Sequence, residues 1–61
     1  MKYNKFIKHL HENNCYKLRK GSNHSVFKNR LNGNKTAVPR HTDLHELLCK
    51  KICKQLGIPI I

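Results

Sequence analysis

Acidic side chains are almost missing from this sequence. Its 61 residues hold three, Glu12, Asp43 and Glu46, and none falls between Asn13 and Thr42. A nuclease built on two metal ions needs several convergent carboxylates, and two of these three are expected to be engaged in starting a helix. A disulfide framework is missing as well, because the three cysteines are an odd number. The N-terminal stretch is charged throughout, with no apolar run long enough for a secretory signal or a membrane span. These features predict a reduced, cytoplasmic protein. Length itself is scarce: one small domain over 1–61 is expected, with no room for a nucleotide-binding fold or a deep cofactor pocket. Any active site must be shallow and its substrate larger than the cleft.

What is present in excess is positive charge. Thirteen lysines and arginines give a formal net charge of +10. Lys17, Arg19, Lys20, Lys28, Arg30, Lys35 and Arg40 all fall in the acid-free middle. A field of this sign attracts polyanions and speeds their encounter. An anionic membrane is the competing partner, but it favours a basic amphipathic helix, and here much of the charge lies in a strand-like region. No membrane association is expected.

The apolar pattern gives an element order. Tyr3, Phe6, Ile7 and Leu10 recur at helical spacing, and Asn13-Asn14 ends that helix. Tyr16 and Leu18 alternate with basic residues as a half-buried strand, and Gly21-Ser22-Asn23 forms a turn. A second strand covers about 24–28. Asn32-Gly33 predicts a two-residue hairpin, and a third strand covers 34–38, stopped by Pro39. Asp43-x-x-Glu46 reads as a capping box opening a second helix. Leu44, Leu47, Leu48, Ile52 and Leu56 form its buried stripe, and Gly57 and Pro59 close it. The expected fold is α+β in the order α-β-β-β-α, a three-stranded antiparallel sheet with both helices on one face. Phe6, Ile7, Leu10, Leu18, Val26, Phe27, Val38, Leu44, Leu47, Leu48, Ile52 and Leu56 are the candidate core.

Several side chains invite a metal. His41, His45, Cys49 and Cys53 are spaced by four and would form one helical stripe. That stripe spans about 18 Å at roughly 1.5 Å per residue, too long for all four to reach one tetrahedral ion. Cys49 and Cys53 read as small core residues, and Cys15 has no evident base beside it. No metal and no cofactor is expected.

His24 remains. It follows a glycine turn at the start of a strand, flanked by Lys20 and Lys28, and Arg40 is a further candidate neighbour across the hairpin. RNA carries its own nucleophile, the ribose 2′-hydroxyl. A protein need only remove that proton, neutralise the phosphate and protonate the leaving 5′-oxygen. A neutral imidazole among cations suits the first role, and lysine and arginine suit the second.

With these motifs in order, the chain resembles the HicA family of bacterial toxins, small ribonucleases of toxin–antitoxin pairs with the double-stranded-RNA-binding-domain fold. The likeness is carried by the N-terminal amphipathic helix, by Gly21-Ser22-Asn23-His24, by Val38-Pro39-Arg40-His41 and by Lys54-Gln55-Leu56-Gly57. The resemblance implies that His24 is the catalytic histidine and that messenger RNA is cut without the ribosome. It also implies a HicB-type antitoxin covering the active surface. Lys20, Lys28 and Arg40 are candidate RNA contacts. Ser22 and Asn23 either hydrogen-bond phosphate or simply form the turn, and His41 either serves as a second acid–base group or leads into the helix. Two other classes stay open. A non-catalytic double-stranded-RNA-binding module would use the basic cluster at Lys50, Lys51 and Lys54, and a DNA-binding module would need a helix pair the sequence does not show.

Overall fold

A computed structural model describes residues 1–60. The order is α1 (Tyr3–Glu12), β1 (Cys15–Lys20), β2 (His24–Asn29), β3 (Lys35–Pro39) and α2 (Glu46–Leu56). The strands form one antiparallel sheet in the order β1-β2-β3. This is the expected α+β arrangement, of the double-stranded-RNA-binding-domain type.

The sheet has two unlike faces because β2 alternates. Ser25, Phe27 and Asn29 are buried, whereas His24 is exposed and Val26 and Lys28 are half-buried. Residues paired directly across an antiparallel ladder share a face. Ser25 with Val38 and Phe27 with Thr36 therefore point inward, and His24 with Pro39, Val26 with Ala37 and Lys28 with Lys35 point outward. The inner face meets both helices in one core of Phe6, Leu10, Cys15, Phe27, Val38, Leu44, Cys49, Ile52, Cys53, Leu56 and Ile58. Each fully buried large side chain contributes about 1.5–3 kcal/mol, so this cluster carries most of the stability. Ile7 and Leu48 pack against its margin.

Five expectations fail here, each for a local reason. Leu18 is 44% exposed, because alternation along β1 puts it on the same outer side as Tyr16, and Val26 is only half-buried, because it faces outward with His24. The buried residue of β1 is Cys15 instead, and Tyr16 is on the outer side. The capping box does not form: α2 begins at Glu46, and its N-cap is His45, whose Nδ1 accepts from the Leu47 amide at 3.2 Å. The Asp43 carboxylate pairs with Lys2 at 3.1 Å. The buried stripe of α2 is Cys49, Ile52, Cys53 and Leu56, so Leu47 shares the solvent side with Lys50, Lys51 and Lys54 and is 61% exposed. The hairpin between β2 and β3 is also longer than two residues. Gly33 has a positive φ of 78° whereas Asn32 does not, so the link is not the type I′ turn that Asn-Gly predicts.

The chain's beginning is tied in by a short ribbon. Met1 and Leu44 exchange backbone hydrogen bonds at 2.7 and 2.9 Å, and the Tyr3 amide donates to Thr42 O at 2.8 Å. This holds the segment from Arg40 to Leu44 against the start of α1.

Candidate active site

The site is built on the link between β1 and β2. The Gly21 amide donates to the His24 carbonyl at 2.7 Å, closing the turn. A Cβ on Gly21 would lie 2.8 Å from that oxygen, a contact real side chains do not make. Glycine is therefore required by close approach, and the reward is a fixed His24. As the first residue of β2, His24 stands on the outer face, exposed, with Pro39 as its neighbour in β3.

Arg40 follows Pro39 directly and is held to the same turn at two points. Its backbone N–H donates to Asn23 O at 3.1 Å, and its guanidinium donates to the Ser22 carbonyl. A guanidinium has five N–H donors in a rigid fork, so the bond to Ser22 orients the group and leaves donors for an anion. Lys20 ends β1 beside the turn, exposed, opposite Ser25. His24 and Arg40 thus meet at one turn, whereas Lys20 shares the opposite side of the ladder with Ser25, and no acidic residue lies in the turn, in β2 or in β3.

The remaining expected residues are placed differently. Ser22 and Asn23 contribute backbone carbonyls that hold Arg40, and both are exposed. Lys28 shares the outer face with His24 but stands four residues along the strand, about 13 Å away at roughly 3.3 Å per residue. It is half-buried, opposite Tyr16 and Lys35.

Sequence reasoning missed two concave features. One is a shallow cleft of about 380 Å³ lined by Lys2, Tyr3, Asn4, Arg40, His41 and Thr42, which places His41 beside Arg40. The other is a depression of about 280 Å³ on the outer face, lined by Leu18, Arg19, Val26, Lys35, Thr36 and Ala37. Neither had a linear signal, since each joins segments that only the sheet register or the N-terminal ribbon brings together.

The stripe His41, His45, Cys49, Cys53 does not exist as one helical face, because His41 and His45 precede the first residue of α2. Among the described residues no three His, Cys, Asp or Glu side chains group as metal ligands would. Cys49 and Cys53 lie in the core. Burial pushes the thiols of Cys15 and Cys49 above the ordinary range, and the neighbouring Cys53 adds to the effect at both. A thiol so placed stays protonated and is a poor nucleophile.

No helix among the described residues is long and apolar enough to cross a membrane. Neither a curated protein nor a solved structure gives a significant match to the chain. The family model described as HicA toxin of bacterial toxin-antitoxin matches residues 3–58, a stretch that covers both helices, the whole sheet and the turn that presents His24. The chain belongs to the HicA toxin family of bacterial toxin–antitoxin systems.

Proposed function

We propose that this toxin is an endoribonuclease that cuts messenger RNA in the cytoplasm without metal, cofactor or ribosome, using His24 as its acid–base group. One observation supports this above the others. His24 is exposed on the open sheet face at a turn that also anchors Arg40, so a proton acceptor and an oriented cation adjoin one shallow surface. A ribose-phosphate linkage lying there meets both. His24 takes the 2′-hydroxyl proton, and the 2′-oxygen attacks phosphorus. The bond to the 5′-oxygen breaks, and that oxygen takes up a proton from water or a neighbouring donor. Arg40 balances the charge that builds on the phosphoryl oxygens, and Lys20, on the far side of the same turn, adds to the positive field there. The products are a 2′,3′-cyclic phosphate and a 5′-hydroxyl.

The family supplies the other half of the reading, an antitoxin. A toxin of net charge +10 favours an acidic HicB-type partner that docks over the His24 turn, since complementary fields set both on-rate and partner choice.

The test compares wild type with His24→Ala on a defined single-stranded RNA in EDTA, with product ends identified. Cleavage by wild type alone, leaving cyclic phosphates, is the expected result. Products with 5′-phosphates would make water the nucleophile, and loss of activity in EDTA would overturn the metal-free scheme. If neither protein cleaves and both bind RNA in a salt-dependent way, the fold is serving as a non-catalytic double-stranded-RNA-binding module.

A further inference from the structure

We infer that the depression on the outer sheet face is a subsite for one unpaired nucleobase of the RNA strand whose phosphate lies at His24. The inference rests on the ribonuclease reading and extends it to the substrate's state: a single strand, not a duplex.

The depression crosses all three strands. Leu18 and Arg19 come from β1, Val26 from β2, and Lys35, Thr36 and Ala37 from β3. Its centre is Val26, which faces Ala37 and Arg19 across the two ladders. Val26 lies two positions from His24 on the same face, about 7 Å along the strand at roughly 3.3 Å per residue. A chain with its phosphate at His24 therefore passes over this floor.

The lining suits a base and not a general protein contact. Leu18, Val26 and Ala37 give a small apolar floor, and Arg19 and Lys35 stand at its sides as cations. Every base has an apolar π-face that can lie on such a floor, and a guanidinium can stack on it as well. Charge supports the same occupant. The three acids of the chain lie on α1, beside Lys2 and at the start of α2, so the surface around the depression carries one sign only. A duplex keeps its base faces stacked inside and cannot offer one, whereas a single strand can splay a base out.

The Leu18 position explains itself under this reading. An aliphatic side chain on the outer side of β1, beside a strand irregularity, is 44% exposed and outside the core, yet it forms one wall of the depression. The same irregularity places Arg19 opposite Val26.

The experiment measures binding of wild-type, Leu18→Ser and Leu18→Met proteins to a 2′-O-methyl oligonucleotide, which lacks the nucleophile and is not consumed. The same strand annealed to its complement and an abasic strand of equal length serve as comparisons. Leu18→Ser is expected to weaken single-strand binding about 5- to 100-fold, to leave duplex and abasic binding unchanged, and to be rescued by Leu18→Met. Circular dichroism on each variant confirms the fold, which an exposed position should not disturb. Equal single-strand affinity for Leu18→Ser and wild type overturns the inference, as does equal weakening of single strand and duplex. Retained RNA binding with loss of the complex with the acidic antitoxin would assign the depression to the protein partner. Because the probe cannot be cleaved, failure of His24 as a catalyst and failure of this subsite read out separately.

Discussion

At one end of β2 the chain turns through 30–34, and at the other through Gly21, Ser22 and Asn23. Both links are short and mostly polar, yet their side chains are used differently. In the first, backbone bonds from Gly33 to Asn29 and from Asn29 to Asn34 close the turn, and side chains tie it to α2. Asn29 Nδ2 donates to Leu56 O at 2.8 Å and Asn32 Nδ2 to the same carbonyl at 3.0 Å. Asn29 Oδ1 accepts from the Leu31 amide at 2.9 Å. The last carbonyl of α2, which a helix end leaves without an internal partner, is satisfied by the hairpin. In the second, the turn is held through its own backbone groups, by Gly21 to His24, by the Arg40 amide to Asn23 and by the Arg40 guanidinium to the Ser22 carbonyl, and the side chains of 22–24 face solvent. A turn that spends its side chains on the fold has none left for a substrate. A turn fixed through its main chain keeps them free.

The sharpest way to break this contrast is to change one residue at each end. His24→Ala at the free end is expected to lower cleavage about 10²- to 10⁴-fold, the usual worth of a positioned acid–base group, with the melting temperature unchanged. Product formation on a labelled RNA and a thermal scan check the two halves. Asn29→Ala at the anchored end reverses the pattern. It removes two hydrogen bonds from a buried position, costing about 1–3 kcal/mol in a chain whose whole stability is about 3–9 kcal/mol. Urea unfolding should show the loss, while specific activity of the folded fraction stays near wild type. Asn29→Asp sharpens this further, because it keeps the shape but puts an acceptor against the Leu56 carbonyl and should be no better than alanine.

How much of this was legible depended on range. The stripe Tyr3, Phe6, Ile7, Leu10 gives α1, and Gly57 gives the end of α2, because both are local patterns. Gly57 has φ 72°, and the Ile58 amide donates to Cys53 O at 3.0 Å, as the αL closure of a helix requires. His24 was legible for the same reason, lying one turn from a glycine. The start of α2 was not. Asp43 and Glu46 have the spacing of a capping box, but Asp43 is drawn to Lys2, 41 positions earlier, through a bridge between 2 and 43. Leu18 misled because alternation groups it with Tyr16 but does not say which of the two faces is buried, and here theirs is the outer one. Lys28 shares the outer face with His24 but stands at the far end of β2, a separation that needs a distance to see. The anchoring by Asn29 and Asn32 was invisible, because their partner is a carbonyl, a group every residue carries.

Arg40 tests whether the free turn depends on its anchor for orientation or only for charge. Arg40→Ala leaves the backbone bond to Asn23 intact and removes the guanidinium bond to Ser22. Stability should move by less than about 0.5 kcal/mol, as for most exposed positions. Cleavage should fall about tenfold, the loss of one charged contact to the phosphate. Arg40→Lys keeps the charge without the planar fork. Recovery by lysine to the wild-type rate would show that charge alone matters. A rate close to that of alanine would show that the bond to Ser22 sets the geometry.

The smallest effect is expected immediately beside the site, at Ser25. Its hydroxyl is fully buried and has no hydrogen-bond partner among the described residues, although its neighbour in the chain is the proposed catalytic residue. Burying a hydroxyl without a partner costs about 1–3 kcal/mol by mutational measures. Ser25→Ala should therefore leave stability unchanged or raise it by up to about 1 kcal/mol, since the costly group is gone and little volume with it. Alternation along β2 points Ser25 into the core and His24 away from it, so cleavage should be unaffected. A thermal scan and an initial-rate assay on the one variant decide the matter. A rate loss at unchanged stability would mean that the inner face supports His24 from beneath, and the separation between a face that folds and a face that acts would no longer hold.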